Sequence, residues 1–202
     1  MDTPAAPDAW TFLYLGGDSY PACAHVEDVL RDRLVRPGDR FIGQQALLEF
    51  HEDGVWVRDI ARRVAGLQRL LAHWGYTPER TVAIGRSAGA RVVTRLAAGP
   101  GGMNRLAATV CLAYPFQAPG GPPEPGRFAH LAALRVPTLL LQGRADAWGS
   151  PAEARNHPLP PALRLRALPC DHHTRLPPRE WDRVAAMIEA FLGRAPAIAR
   201  AA

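Results

Sequence analysis

The chain has 202 residues, of which 48% are hydrophobic and 21% are charged, an ordinary composition for a globular domain. Its formal net charge is +5, and all 24 of its Lys and Arg residues are arginine. The lack of lysine excludes a Schiff-base lysine and the phosphate-binding lysine of a P-loop. The arginines are scattered, with Arg62–Arg63 as the only adjacent pair, which favours a solvated surface over a nucleic-acid-binding face.

The cysteines and the first residues of the chain bear on its compartment. Cys23, Cys111 and Cys170 form no C-x-x-C pair, which argues against a disulfide framework and against a zinc site. No signal-peptide pattern opens the sequence, and no stretch approaches the ~20 apolar residues of a membrane span. We therefore expect a cytoplasmic protein with a single domain over residues 1–202, in which residues 195–202 are a frayed tail.

Short apolar runs alternate along the chain with longer segments of helical period. The runs predict strands at Thr11–Leu15, Ala46–Phe50, Thr81–Ile84, Ala107–Tyr114, Thr138–Leu141 and Leu163–Leu168. Apolar residues recur every three or four positions from Trp56 to Trp74 and from Trp181 to Leu192, which predicts helices ended by Gly75 and Gly193. Strands that alternate with helices predict a mostly parallel sheet between two helical layers, a three-layer α/β/α sandwich.

One pentapeptide, Gly85-Arg86-Ser87-Ala88-Gly89, follows the third apolar run directly and precedes a helical stretch. A serine in this G-x-S-x-G pattern, on a sharp turn from strand to helix, is exposed at the helix N-terminus, where it can act as a nucleophile. A glycine-flanked serine can also be a simple N-cap. The strand before it and the helix after it favour the nucleophile.

A nucleophilic serine needs a base, and the base needs an acid that orients it, in the chain order serine, acid, histidine. Asp146 follows the fifth apolar run, and His172-His173 follows the sixth. Parallel strands end at one edge of the sheet, where ligands of open α/β sheets bind. Asp146 alone could form a turn, and paired histidines could suggest a metal, but adjacent residues rarely face one ion. The order favours a triad of Ser87, Asp146 and one of the two histidines.

Five motifs in the second half of the chain are similar to those of small single-domain members of the α/β-hydrolase superfamily, near the dienelactone-hydrolase type. They are Gly85-Arg86-Ser87-Ala88-Gly89-Ala90-Arg91, Tyr114-Pro115-Phe116, Val136-Pro137-Thr138-Leu139, Gln142-Gly143-Arg144-Ala145-Asp146 and Asp171-His172. The match is good from Thr81 to His173 and poor before Thr81. It implies an α/β-hydrolase fold without a lid domain.

The resemblance also assigns roles, with Ser87 as nucleophile, Asp146 as orienting acid and His172 as base. It implies a serine hydrolase that cleaves carboxylic esters or thioesters through an acyl-enzyme and needs no cofactor or metal. Its partner would be a small-molecule substrate rather than nucleic acid or membrane. A non-catalytic binding or assembly protein on the same fold, or an acyltransferase, remains an alternative.

Two backbone N–H groups are needed to form an oxyanion hole in such an enzyme. One is expected from Ala88, the residue after the nucleophile. The other is expected from Gly16 or Gly17, which follow the first predicted strand and would offer an N–H without steric obstruction. The acid that follows, Asp18, would disfavour an oxyanion unless its carboxylate points away.

The substrate pocket is predicted to be open, because residues 117–136 are too few and too rich in proline to form a helical lid. Phe116, Trp148 and His173 are the candidate pocket residues, and Tyr20 is a further aromatic at the border. Each of these aromatic residues could equally fill the core. In the family, a small polar residue usually stands at the position of His173. We therefore expect His172 to be the base and His173 to line the pocket or cap the turn.

A second serine raises a rival hypothesis. Gly17-Asp18-Ser19 resembles the signature of a family of lipases in which this serine is the nucleophile. Those enzymes also need an oxyanion asparagine and a D-x-x-H motif near the C-terminus. This sequence has neither, since Thr174 stands three residues after Asp171. Ser87 is therefore favoured over Ser19.

Overall fold

A parallel sheet forms the centre of the computed structural model, which describes residues 9–48, 58–73, 77–99 and 105–194. Its six strands are β1 (Thr11–Leu15), β2 (Arg40–Ile42), β3 (Thr81–Arg86), β4 (Ala108–Leu112), β5 (Thr138–Gly143) and β6 (Leu163–Leu168). Every neighbouring pair is parallel, and the strand order is β2-β1-β3-β4-β5-β6. The chain starts inside the sheet, adds one edge strand, and then crosses β1 to build the other side.

Helices pack on both faces of this sheet. Within the described ranges they are α1 (Ala24–Leu34), α2 (Gln44–Leu48), α3 (Ile60–His73), α4 (Ala88–Ala98), α5 (Pro125–Phe128), α6 (Pro151–Ala154) and α7 (Pro178–Phe191). Buried side chains of α1 and α7 form one core with the sheet, and those of α3 and α4 form another on the opposite face. The three-layer α/β/α sandwich predicted from the sequence is confirmed.

The sequence of the central strands explains why they are buried. All six residues of β3 are buried, as are all five of β4. In β1, Phe12 and Tyr14 face the α1–α7 layer, while Leu13 and Leu15 face the α3–α4 layer. A strand covered on both faces needs apolar residues at successive positions, which is why these strands read as continuous apolar runs.

The edge strand β6 has a different pattern, as its alternating sequence predicts. Arg164 and Arg166 are exposed, while Leu163 and Leu165 pack against the α3–α4 core. Charged side chains on an edge strand discourage pairing with a strand from another molecule. One face of β6 is therefore open to water.

One predicted strand is wrong. The segment Ala46–Phe50 was expected to be a strand, but Ala46 lies in helix α2, and the edge strand β2 comes earlier, at Arg40–Ile42. The period of a short, mainly apolar run of five residues does not distinguish a strand from a helix. Residues 49 and 50 lie outside the described residues.

The predicted helices and the proline-rich loop agree with the structure where it can be compared. Helix α3 covers the middle of the predicted stripe, while Trp56, Trp74 and Gly75 lie outside the described residues. Helix α7 ends at Phe191, and Gly193 adopts φ +67°, a left-handed conformation typical of a helix C-terminus.

Residues 117–136 contain the four-residue helix α5 and a short 3₁₀ segment, Ala129–Ala133, so this connection carries no lid domain. No helix in the described part of the chain has the length and apolar character needed to cross a membrane. The single domain over residues 1–202 stays a prediction, and its expected frayed tail, residues 195–202, lies outside the described residues.

Candidate active site

The predicted catalytic residues and the oxyanion glycines lie on loops that follow β1, β3, β5 and β6 at the carboxyl edge of the sheet. The connection from β1 goes to β2 on one side, whereas the chain after β3 continues to β4 on the other side. This reversal between β1 and β3 is a topological switch point, where the loops diverge and open α/β sheets bind their ligands. Ser87 follows β3 at that point.

Ser87 has the strained backbone of a sharp strand-to-helix turn. Its φ is +53° and its ψ is −121°, a conformation that a residue with a side chain rarely adopts and that costs about 1–3 kcal/mol. Its N–H donates to the carbonyl oxygen of Leu112 at 2.9 Å, which fixes the turn against β4. The serine side chain makes no cap hydrogen bond to α4, so its hydroxyl is available for other partners.

The two flanking glycines are required by close approaches of the backbone. A Cβ on Gly85 would lie 2.5 Å from the carbonyl oxygen of Gly89 and 2.6 Å from the Cα of Ala90. A Cβ on Gly89 would overlap the carbonyl oxygens of Leu15 and Gly16. Helix α4 therefore starts in contact with the end of β1, which places the loop after β1 beside Ser87.

A chain of hydrogen bonds joins the serine to a histidine and an aspartate. The Oγ of Ser87 lies 2.9 Å from Nε2 of His172. The Nδ1 of the same ring lies 2.9 Å and 3.0 Å from the two carboxylate oxygens of Asp146. A carboxylate can only accept, so it selects the tautomer with a proton on Nδ1 and leaves Nε2 free to accept the serine proton. Ser87, Asp146 and His172, the histidine that the resemblance assigned as base, thus meet.

Asp146 is held by several donors. Its side chain is fully buried. The backbone N–H of Trp148 donates to Oδ1 at 2.8 Å, and Nε2 of Gln142 donates to Oδ2 at 3.0 Å. Gln142 is itself fixed by Tyr114, whose N–H donates to Oε1 at 2.9 Å, and it donates to the carbonyl oxygen of Gly149. The hydrogen bonds from Trp148 and Gln142 therefore fix the orientation of the Asp146 carboxylate.

The loop that carries the histidine is anchored by a buried arginine from the elbow itself. Arg86 is 2% exposed, and its Nη2 donates to the carbonyl oxygen of His172 at 2.7 Å. Its Nε lies 3.4 Å from Oγ1 of Thr174. The sequence analysis assigned no role to Arg86, although its position between the glycine and the serine of the motif was a signal.

The rival nucleophile Ser19 lies near an arginine rather than a base. Its Oγ is 3.5 Å from Nη1 of Arg86. A serine needs a proton acceptor to become a nucleophile, and a guanidinium has none to offer. The geometry therefore favours Ser87.

One of the two candidate oxyanion donors is already occupied. The N–H of Gly16 donates to Oε1 of Gln44 at 2.7 Å, so Gly16 is not available as a donor, which corrects this part of the prediction. Gln44 is in turn held through its N–H by the buried carboxylate of Glu27 at 3.2 Å. A Cβ on Gly17 would lie only 3.0 Å from the Cβ of Ser87, so Gly17 remains the candidate beside the nucleophile, together with Ala88.

The negative charge of Asp18, next to this loop, is compensated by a buried arginine. Arg63, 2% exposed on α3, donates to the carbonyl oxygen of Gly16 at 2.7 Å and lies 3.3 Å from a carboxylate oxygen of Asp18. Burial lowers the pKa of Arg63 to about 10, which leaves it charged at neutral pH. The carboxylate of Asp18 is thus turned towards Arg63, and Arg63 was not recognised from the sequence.

The three predicted pocket residues have different positions. Phe116 is fully buried and stacks on His157 with ring centroids 5.0 Å apart, so of the two positions considered for it, the core and the pocket border, it takes the core. Trp148 is half-buried, and its ring centroid lies 5.3 Å from that of His172. His173 is exposed at 6.5 Å from the His172 ring, and its N–H donates to Asp171 at 2.8 Å.

No cluster of three or more His, Cys, Asp or Glu side chains that could hold a metal ion occurs among the described residues. Cys170, beside the histidine loop, has its pKa raised to about 11 by burial and by Asp171 and Asp146, so its thiol is neutral.

A comparison of the sequence with protein families decides the assignment. A family model described as an alpha/beta hydrolase domain matches residues 59–191, which include the elbow and both partner loops. The chain belongs to the α/β-hydrolase family. The superfamily inferred from the motifs is therefore confirmed, while the closer likeness to the dienelactone-hydrolase type stays a prediction.

Solved structures similar to this hydrolase support the same fold. An esterase from Pyrococcus furiosus has a TM-score of 0.64 at 17% identity, covering 95% of this chain and 84% of its own. A pyrethroid hydrolase from Sphingobium faniae has a TM-score of 0.62 at 17% identity, covering 92% and 98%. The type II thioesterase BorB of the borrelidin biosynthetic cluster has a TM-score of 0.63 at 20% identity, covering 96% of both chains. No curated protein matches the sequence.

Proposed function

We propose that this α/β-hydrolase cleaves carboxylic esters or thioesters through Ser87, His172 and Asp146, with an acyl-enzyme intermediate. The observation that carries the proposal is the continuous chain from Ser87 Oγ to His172 Nε2, at 2.9 Å, and from His172 Nδ1 to Asp146, at 2.9 Å. The structures it resembles include an esterase and a type II thioesterase, which is consistent with this substrate class.

In the first half of the reaction, Ser87 Oγ attacks the carbonyl carbon of the substrate while its proton moves to Nε2 of His172. The negative charge that develops on the carbonyl oxygen is stabilised by the N–H groups of Gly17 and Ala88. The tetrahedral intermediate collapses, the bond to the alcohol or thiol breaks, and the leaving group takes the proton from His172. The acyl group is then an ester of Ser87.

The second half repeats these steps with water. His172 removes a proton from a water molecule, which attacks the acyl carbon, and the same proton returns to Ser87 Oγ as the acid leaves. Asp146 stays ionised and stabilises the imidazolium that forms twice in each cycle. Ser87, His172 and Asp146 end the cycle as they began.

Covalent labelling tests the nucleophile. After treatment of the native protein with a fluorophosphonate, mass spectrometry should locate the adduct on the peptide that contains Ser87. Ser87→Ala should abolish the adduct, and Ser19→Ala, the matched control on the neighbouring loop, should retain it. An adduct on Ser19, or none on the native protein, would refute the proposed triad.

The absence of a lid between residues 117 and 136 bears on the choice of ester. We expect p-nitrophenyl esters with short or medium acyl chains to be cleaved better than long-chain triglycerides, without activation at an interface. A rate that rises abruptly above the critical micelle concentration of the substrate would contradict an open site.

A further inference from the structure

Arg91 lies one helical turn after Ser87 on α4. Its guanidinium has N–H donors that no neighbouring group accepts from. Its Nε is withdrawn from solvent without a hydrogen-bond partner, and its guanidinium makes no hydrogen bond or ion pair with the described residues. Polar groups removed from water almost always have a partner, and an unpaired charge is more costly than an unpaired neutral group. A guanidinium in this state is a candidate ligand-binding group.

The arginines closest to Arg91 are engaged. Arg95 donates from Nη2 to the carbonyl oxygen of Gly126 at 2.6 Å. Arg127 forms an ion pair with Glu124 at 2.8 Å. The Nε of Arg95 also lacks a hydrogen-bond partner. Arg91 is nevertheless the one of the three whose guanidinium makes no hydrogen bond or ion pair within the described ranges, and the carboxylate of Glu124 acts on its charge without pairing with it.

Two neighbouring arginines connect Arg91 with the candidate active site. The charge of Arg91 acts on Arg127 and on Arg63, the arginine that holds the oxyanion loop. The guanidinium of Arg127 lies over the ring of Trp148, 5.5 Å from its centroid, and Trp148 contacts the ring of His172. Because Arg91 follows Ser87 by one turn of α4, about 5.4 Å along the helix, a group bound by Arg91 and Arg127 would lie close to the nucleophile.

The electrostatics favour a negative ligand. Burial and the charges of Arg127 and Arg95 lower the pKa of Arg91 by more than Tyr114 and Glu124 raise it, so the cation is destabilised on balance. An anion beside Arg91 would reverse both effects, because it would supply the missing ion pair and screen the neighbouring guanidinium groups.

We propose that Arg91, assisted by Arg127, forms an anion subsite that binds a carboxylate or phosphate group of the substrate. The inference rests on the proposed function, since it names the class of ester or thioester that the triad receives. The planar fork of a guanidinium matches the oxygen pairs of carboxylates and phosphates. The anion can belong to the acyl group or to the leaving group.

Two pairs of substrates distinguish an anion on the acyl group from an anion on the leaving group. For the acyl group, kcat/KM for mono-p-nitrophenyl glutarate is compared with that for p-nitrophenyl butyrate. For the leaving group, kcat/KM for butyryl-coenzyme A is compared with that for the butyryl thioester of N-acetylcysteamine. The anionic member of one pair should be preferred at least ~10-fold, which corresponds to about 1.4 kcal/mol.

The variants identify the arginine responsible. Arg91→Gln should lower the preference about tenfold, whereas Arg91→Lys should keep part of it, because it retains the charge but loses the fork. Arg95→Gln is the matched control, since it removes the same charge from the next turn of α4 and should leave the preference as it is. Equal rates for charged and neutral substrates in both pairs, or a preference that Arg91→Gln retains, would overturn the subsite.

A binding measurement separates this proposal from the triad. Isothermal titration of glutarate and of pyrophosphate into the wild type and Arg91→Gln needs no turnover. Binding of either anion to the wild type alone supports the subsite even if no ester is cleaved. Cleavage of the neutral esters without binding or preference for an anion leaves the triad in place and removes the subsite. The absence of both cleavage and binding overturns both proposals.

Discussion

The substitution Asp146→Asn tests whether the buried acid orients the histidine, and the structure predicts two separate costs. Trp148 donates its N–H to Oδ1 at 2.8 Å, and Gln142 donates its side-chain N–H to Oδ2 at 3.0 Å. An asparagine offers one oxygen and one NH₂ group. In either orientation, therefore, the NH₂ faces a donor, and one buried hydrogen bond is replaced by a contact between two donors.

The first cost falls on stability. Loss of one buried hydrogen bond, with a donor left unsatisfied, costs about 1–3 kcal/mol. For a chain of this length, that corresponds to a decrease of ~2–12 °C in Tm, with the protein still folded. The control is Asp171→Asn, because Asp171 is an exposed aspartate on the loop that carries His172, and its Oδ1 accepts from the backbone N–H of His173. That variant should change Tm by less than ~2 °C.

The second cost falls on catalysis. Without the carboxylate, the imidazolium formed in each step loses its counter-charge, and the tautomer with a free Nε2 is no longer enforced. By analogy with the same substitution in a serine protease, we expect kcat for p-nitrophenyl butyrate to fall by ~10³–10⁴. A folded Asp146→Asn variant whose kcat stays within tenfold of the wild type would refute the orienting role of Asp146.

Three further predictions concern other parts of the hydrolase. His172→Ala should lower kcat by ~10²–10⁴, while His173→Ala should lower it only a few-fold; the reverse result would make His173 the base. Gly89→Ala should lower the Tm in a thermal melt, because the added methyl group overlaps the carbonyl oxygen of Leu15; an unchanged Tm would contradict this packing. Burial and two arginines lower the pKa of His130 to about 4. Its folded pKa lies below the unfolded value of about 6.5, so its contribution to stability is present above pH 6.5 and is lost as pH falls towards 4. Urea unfolding at pH 7 and pH 4.5 should show a larger loss for the wild type than for His130→Gln.

The sequence was sufficient to predict the fold and the meeting of Ser87, Asp146 and His172, because both follow from local signals. Each of these residues comes shortly after an apolar run, and the carboxyl ends of parallel strands necessarily share one edge of the sheet. The pattern therefore specifies which residues approach each other without any knowledge of distances.

The residues that were missed act through contacts between distant parts of the chain. Gly16 and Gly17 are the same residue type in adjacent positions, and only the structure shows that Gln44, which follows the next strand, occupies the N–H of Gly16. Arg63 looks like a surface arginine in the sequence, and the position of Arg86 in the motif does not identify its partners, His172 and Thr174. Burial converts both into supports of the site, and burial is a property of the packed structure.

Phe116 shows that a residue proposed for the pocket can belong to the core instead. An aromatic residue in a proline-rich loop beside a site suggests a pocket wall, but the stacked ring of His157 and the close backbone of Gly149 enclose it. A buried aromatic and a pocket aromatic are identical in the sequence, since both are large apolar rings in the same chemical context.

The attachment of Asp146 through Gln142 also bears on how this scaffold can be altered. The hydrogen bonds that hold Gln142 involve Tyr114 and Gly149, both of which lie outside residues 117–124. Within that segment, Gly120 is exposed and a Cβ there would meet no neighbouring atom. Exposed loop tips of this kind accept insertions best. A helical segment could therefore be grafted between Ala118 and Gly121 to cover the active site, while the acid keeps the anchors that orient it.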